Sequence, residues 1–195
     1  MDIREFWELS AGEWMAQRTS HHIAFRRFEG GQLTVTVATL TADAPEIIKT
    51  CQHHNVDPST VLCGSKEQWV GSLDANRGQV KGQVLLVLVP DADNSNIGRV
   101  LWHRTAEERT GNGDEVPEPE EAMGTYNLGA DEALTLVTEY DSTVSEERIW
   151  FASPNLRLRS CLLKRFGGFS TATLSSEIRK LSANSAQAVK AAMQQ

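Results

Sequence analysis

The stretch WFASPNLRLRSCLLKRFGGFS, Trp150 to Ser170, reads as the end of one β-strand, a turn, a complete second strand and a second turn. Strand side chains alternate sides. Arg157 and Arg159 therefore project to one face, and Leu156, Leu158 and Leu162 to the other. Asn155, two residues before Arg157, joins the arginine face if no bulge intervenes at Pro154. The FGGF at 166–169 is a hairpin turn rather than a phosphate cradle, because no helix pattern follows it.

Working outward, strands are expected at 144–153 and 155–163 around the first turn and at 170–179 beyond the second. Upstream, LTVTVATL (33–40) alternates apolar residues with threonine, the pattern of a half-buried strand. EWMAQRTSHHIAF (13–25) places Trp14, Ala16, Arg18, Ser20 and His22 on one side. Further strands are expected at 66–74, 82–90, 97–104, 122–128 and 132–140, separated by turn-rich segments such as DANRG, PDADNSN and LGADE. Two helices interrupt the pattern. MDIREFWELS has Asp2 and Glu5 spaced as a capping box, and TADAPEIIKTCQHHN (41–55) has Asp43 as N-cap and Pro45 in the first turn. The segment 105–121 carries charges, glycines and prolines without apolar periodicity, which predicts an exposed acidic loop.

About ten strands with short connections and one internal helix predict an all-β, antiparallel meander. Closure into a barrel removes the sheet edges and leaves room for one small ligand. One domain over 1–180 and a C-terminal tail over 181–195 are expected.

The 195 residues carry a formal net charge of −7, which repels phosphate backbones and argues against nucleic acid as a partner. Basic residues are scattered, apart from Arg26–Arg27, Arg157/Arg159 and Lys164–Arg165. Three cysteines without paired spacing predict a reducing compartment. The N-terminus lacks the apolar run of a signal peptide, and VLLVLV (84–89) is too short to span a bilayer. A cytoplasmic location without membrane insertion is the expectation.

Signatures of serine hydrolases, P-loop enzymes, dinucleotide-binding folds and zincins are absent. Cys51, His53, His54 and Cys63 are zinc-type ligands, but their spacing matches no motif, and His21 and His22 point to opposite strand faces. No metal is expected; a polar helix end beside a half-buried thiol accounts for these residues. The arginine row has two readings. It is a solvated strand face, or it is an anion clamp about 7 Å wide, suited to two carboxylates on one ligand. Glu147, Ile149 and Phe151 share its parity, and a mixture of acid, base and aromatic resembles a pocket wall. Glu177 and Arg179 repeat the pattern in the last strand. Of the five tryptophans, Trp69 has neighbours too small to bury it.

SAGEWMAQRTSHH, QWVGSLD, ERIWFASPNLRLRSCLL and SEIR together resemble the S-type phycobiliprotein lyases of the CpcS/CpeS family, in order over residues 2–179. The resemblance implies a ten-stranded lipocalin-like barrel. It implies non-covalent binding of phycocyanobilin or a related linear tetrapyrrole, as substrate and with no separate cofactor. Thioether attachment to a cysteine of a phycobiliprotein subunit, phycocyanin β or allophycocyanin, would follow. It further implies that Arg157, Arg159 and Arg18 bind the bilin propionates, that Asn155 belongs to the same polar face, and that Trp69 stacks on the pyrroles. Glu147, with Glu177 as a second acid near the pocket mouth, would protonate the bilin. The implied partners are apo-phycobiliprotein subunits and a second lyase chain, as a homodimer or with a paralogue. Cys161, on the pocket face, is not expected to hold the bilin covalently. The rival reading is a carrier of the lipocalin type for a bilin or a fatty acid, which would need no proton donor.

Overall fold

The computed structural model describes residues 1–74, 76–104, 108–109, 120–165 and 167–180. A helix α1 (Ile3–Ser10) leads into β1 (Gly12–His22) and β2 (Arg27–Leu40), joined by a 3₁₀ turn at Ile23–Phe25. Helix α2 (Pro45–His53) follows, then β3 (Cys63–Leu73), β4 (Asn76–Pro90), β5 (Ile97–Arg104), the two-residue β6 (Glu108–Arg109) and β7 (Glu120–Leu128). The chain continues through β8 (Leu134–Tyr140), β9 (Thr143–Ser153), β10 (Leu156–Arg165) and β11 (Ser170–Arg179). Ten long strands pair antiparallel in the order β3-β2-β1-β11-β10-β9-β8-β7-β5-β4, and β3 pairs with β4 to close the barrel. The β6 pair at Glu108–Arg109 adds to the edge of β4 at Val80 and Lys81.

The expected segment pattern survives, with shifted ends. β2 begins at Arg27 rather than 33, because its first half is glycine-rich and polar. A Cβ on Gly31 would lie 2.5 Å from the Leu73 side chain and 2.7 Å from the Ser72 carbonyl, so the approach of β3 requires glycine there. β7 starts at Glu120, inside the segment read as a loop; otherwise that segment, apart from β6, lies outside the described residues, as does the 181–195 tail.

Strand β4 explains its own unbroken apolar run. Val84, Leu86 and Leu88 face the barrel interior, while Leu85, Val87 and Val89 pack outside under Ile47 and Cys51 of α2. A strand covered on both faces needs apolar residues at every position. Cys51 is wholly buried there, not half-buried, and Cys63 is separated from it in a partly buried position. His53 and His103 instead both reach the Glu121 carboxylate, His103 through Nδ1 at 2.8 Å, tying α2 to β5 and β7. The α2 N-cap is Ala44 rather than Asp43, whose carboxylate accepts from the Thr41 hydroxyl at 2.5 Å.

Helix α1 plugs one end of the barrel. Asp2 accepts from the Arg4 and Glu5 amides, and Glu5 reaches back to the Asp2 amide at 2.7 Å, the reciprocal cap its sequence predicts. Ile3, Phe6 and Trp7 are buried against Leu88, Val100, Leu134 and Ile149. Each side chain of this size contributes about 1.5–3 kcal/mol when fully buried. The C-terminal turn of α1 has no basic residue of its own. Arg179 at the end of β11 supplies one, donating to the Leu9 carbonyl and, at 2.6 Å, to the Ala11 carbonyl, with its guanidinium 4.1 Å from the Trp14 ring centre. No helix among the described residues is long and apolar enough to cross a membrane.

Candidate active site

Above the plug the barrel holds a cavity of about 440 Å³, within the usual range for small-molecule sites. Since α1 seals the end around Trp14 and Phe151, the opening lies at the other end, among His22, Glu29, Arg104, Tyr140, Arg165 and Thr171. Alternation along β1 delivers Ala16, Arg18, Ser20 and His22 to the lining, as its sequence predicts.

At the deep end sits a cluster of five charges from four strands. Arg159 on β10 donates through Nη2 to both oxygens of Glu67, at 2.9 and 2.7 Å, and through Nη1 to Glu147 at 3.1 Å. Its Nε lies 3.4 Å from Glu177. Arg157 donates from Nε to Glu177 at 2.5 Å and lies 3.6 Å from Glu67. Register brings these groups together: Arg157 pairs with Glu177 across β10–β11, and Arg159 lies one inward position from Glu147's partner Cys161.

The paired carboxylates facing the arginine row are thus the protein's own. Arg157 is completely buried below the cavity lining, its guanidinium 4.9 Å from the Trp14 ring centre, and it is not a lining residue. Arg159 lines the cavity with its charge already matched. Asn155 is exposed in the β9–β10 turn, away from the cavity, because a bulge beside Leu156 resets the alternation that would have aligned it with Arg157. Glu177 is buried at the deep end rather than near the mouth. Glu67, one inward position before Trp69 on β3, is a further site residue outside the set the sequence predicts. Its signal was an acid on the apolar-facing parity of a strand.

Three carboxylates against two guanidiniums leave one negative charge in excess. Burial would raise the Glu67 carboxyl, but Arg159 and Arg157 outweigh it and hold Glu67 below the usual range. At Glu147 burial prevails over Arg159, and the Glu67 and Glu177 charges add to it, so its carboxyl is pushed up. Burial opposes the charge on Arg159, yet its three carboxylate neighbours raise its pKa well above the ordinary value. Of the two acids whose pKa moves, Glu147 at the cavity wall is the one that holds its proton more tightly than a free carboxyl, and Glu67 the one that gives it up more easily.

The remaining lining suits a flat, anionic ligand. Trp69 lies across Gly82 of β4, where an added Cβ would sit 2.5 Å from the indole, and Arg104 stacks 5.6 Å from its ring centre. Trp102 and Tyr140 stack at 6.5 Å nearer the mouth. Arg18 is half-buried, donates to the Ser20 hydroxyl at 3.3 Å, and has no carboxylate partner among the described residues. Cys161 lines the wall against Ser145, and burial, with the nearby Glu147 charge, raises its thiol pKa.

A family model described as CpeS-like protein matches residues 2–180. The chain is 50% identical to "Chromophore lyase CpcS/CpeS 2" of Synechococcus sp. (strain JA-3-3Ab), covering 94% of this chain and 93% of that protein. It is 41% identical to "Phycocyanobilin lyase subunit CpcS" of Picosynechococcus sp., covering 91% and 86%. The solved structure of the S-type phycobiliprotein lyase CPES from Guillardia theta superposes with a TM-score of 0.78 at 31% identity, over 93% of this chain and 94% of that one. A ten-stranded barrel of this kind, matched along nearly its whole length, belongs to the CpeS-like family, and the chain is an enzyme of the lyase class.

Proposed function

We propose that the barrel binds a linear tetrapyrrole, phycocyanobilin or a close relative, and promotes its attachment to a cysteine of a phycobiliprotein subunit, phycocyanin β or allophycocyanin. The names of the relatives support the substrate class. The observation that carries the mechanism is the place of Glu147, at the wall of an aromatic-lined cavity and held by Arg159, with burial pushing its carboxyl above the ordinary value.

The bilin lies along Trp69 and Trp102, and a propionate reaches Arg18, which has no carboxylate partner among the described residues. Arg159 holds Glu147 in place and is itself held by Glu67, a preorganised arrangement that needs no rearrangement when the ligand enters. Glu147 donates its proton to the tetrapyrrole, which makes the exocyclic ethylidene carbon electrophilic. The acceptor thiol adds there: a C–S bond forms, the C=C π bond is lost, and the thiol proton restores Glu147. No electrons are gained or lost overall.

The test is to add phycocyanobilin to the purified protein, record the visible spectrum, and then supply apo-phycocyanin β or an apo-allophycocyanin subunit. Wild type gives a red-shifted band and then a fluorescent adduct that survives denaturation. Glu147→Gln keeps the shift and transfers at least about 100-fold more slowly. Equal transfer by that variant removes Glu147 from the mechanism. A shift without transfer by wild type leaves a carrier or a lyase that needs a paralogous partner chain, and no shift removes the bilin reading.

A further inference from the structure

Two of the paired basic runs in this acidic chain, Arg26–Arg27 and Lys164–Arg165, are far apart in sequence, yet the fold carries both to the open end of the barrel. Arg27 opens β2 and pairs with His22; Lys164 and Arg165 close β10, and Lys164 pairs with Ser170. β2, β1, β11 and β10 are adjacent, so these cations span about 14 Å of rim at the ordinary strand spacing. Between them lie exposed apolar side chains. Phe25 is 64% exposed and stacks on the 47% exposed Phe169 at 5.7 Å; Ile23 is exposed in the same turn, and the 77% exposed Phe28 follows Arg27 on β2, its ring 6.5 Å from that of His21. Arg26, Arg27, Lys164 and Arg165 are all exposed.

Apolar rings among cations are costly to leave in water and mark an interaction surface. On a chain of net charge −7 they form a locally basic face that would attract an acidic surface. The position narrows the occupant. Anything that receives a ligand from the cavity must approach this rim, since α1 closes the opposite end.

We propose that the rim of Ile23, Phe25, Phe28 and Phe169, flanked by Arg26, Arg27, Lys164 and Arg165, docks the acceptor protein. Its partner surface presents acidic residues and an apolar patch around the target cysteine. This rests on the bilin-transfer reading above. The surface sets where the thiol enters, and it acts on acceptor affinity rather than on the chemistry in the cavity.

Two double variants test it, Phe25→Ala/Phe169→Ala and Arg27→Glu/Lys164→Glu, none of whose residues lines the cavity. Phycocyanobilin uptake, read from the visible spectrum, remains as in wild type and confirms folding. The half-saturating concentration of apo-phycocyanin β or apo-allophycocyanin subunit rises at least tenfold in both variants, with kcat changed less than threefold. The charge variant also loses most of the salt dependence of the wild-type reaction. Unchanged acceptor dependence overturns the proposal, as does failure of the bilin-loaded wild type to bind either subunit. If the variants lose only co-sedimentation with anionic phospholipid vesicles, the rim is a membrane surface. If they lose only self-association in light scattering, it is a contact between copies. Either result overturns acceptor docking. Failure of wild type to take up bilin at all is a separate outcome that removes the underlying reading.

Discussion

Arg159 donates from a single nitrogen, Nη2, to both oxygens of Glu67, two strands' worth of barrel wall held at 2.9 and 2.7 Å. The contact crosses the interior from β10 to β3, strands that are not neighbours in the sheet. It is therefore a strut across the barrel as well as a charge neutralisation.

Removing one end of that strut strands the other. Glu67→Ala takes away the carboxylate that Arg159 Nη2 and Arg157 Nη1 face. Those ends are left unpaired although Glu147 and Glu177 still match the two charges, and a broken buried pair costs up to about 3–5 kcal/mol. Urea unfolding should show that loss. The double variant Glu67→Ala/Arg159→Met should recover part of it, because the guanidinium whose Nη2 lost its acceptor is gone and Arg157 keeps Glu177. A loss below about 1 kcal/mol would mean that water screens the cluster.

The two acids give stability of opposite pH sign. Glu67, depressed in the fold, contributes stability that is present above the unfolded value near 4.3 and is lost as pH falls through its lower folded value. Glu147, raised in the fold, contributes below about 4.3, and that contribution is lost as pH rises through its folded value. Unfolding free energies measured from pH 3 to 8 should therefore show Glu147→Gln without the decline on the upper side but still sensitive to acid. If the variant and wild type run parallel across the range, Glu147 is not raised.

Arg18 gives a ligand-side prediction. Hydrogen bonds to charged groups contribute about 1.5–3 kcal/mol, so wild type should prefer the free bilin over its dimethyl ester by about 10- to 100-fold. Arg18→Gln should erase that preference by weakening the free acid alone. If the variant keeps the preference, the propionate lies elsewhere.

Gly82 controls Trp69. An alanine methyl would meet the indole at 2.5 Å, so Gly82→Ala should tilt the ring into the cavity. The readout is a shifted tryptophan emission and at least tenfold weaker bilin uptake, with the fold intact by circular dichroism. Uptake at the wild-type level would show that the ring is not a ligand platform.

Most of the architecture was legible because alternation and turn chemistry are local signals. LTVTVATL and the FGGF turn declare themselves within a few residues. The capping box of α1 did so as well. What escaped depended on partners distant in sequence. Arg157 and Arg159 were read as cations awaiting a ligand, and nothing near them announces Glu67, 92 positions before Arg159. The bulge that turned Asn155 away is a property of the pairing between β9 and β10, not of either strand alone. The same holds for the basic rim, two ordinary dipeptides until the pairing of β1 with β11 brings them to one end of the barrel.

The seal at the bottom of the barrel has a consequence for biosynthesis. β1 finds its second neighbour only in β11, more than 140 positions later, and among the described residues the carbonyls of Leu9 and Ala11 take a side-chain donor from Arg179. Contacts this distant along the chain are slow to form, since the ends of a long loop must meet first. On the ribosome the plug helix has no finished socket until β11 emerges, and until then the half-built sheet exposes β1 as an unpaired edge. The cavity is thus completed only when β11 is in place, so the hollow that the fold encloses is a product of its longest-range pairing.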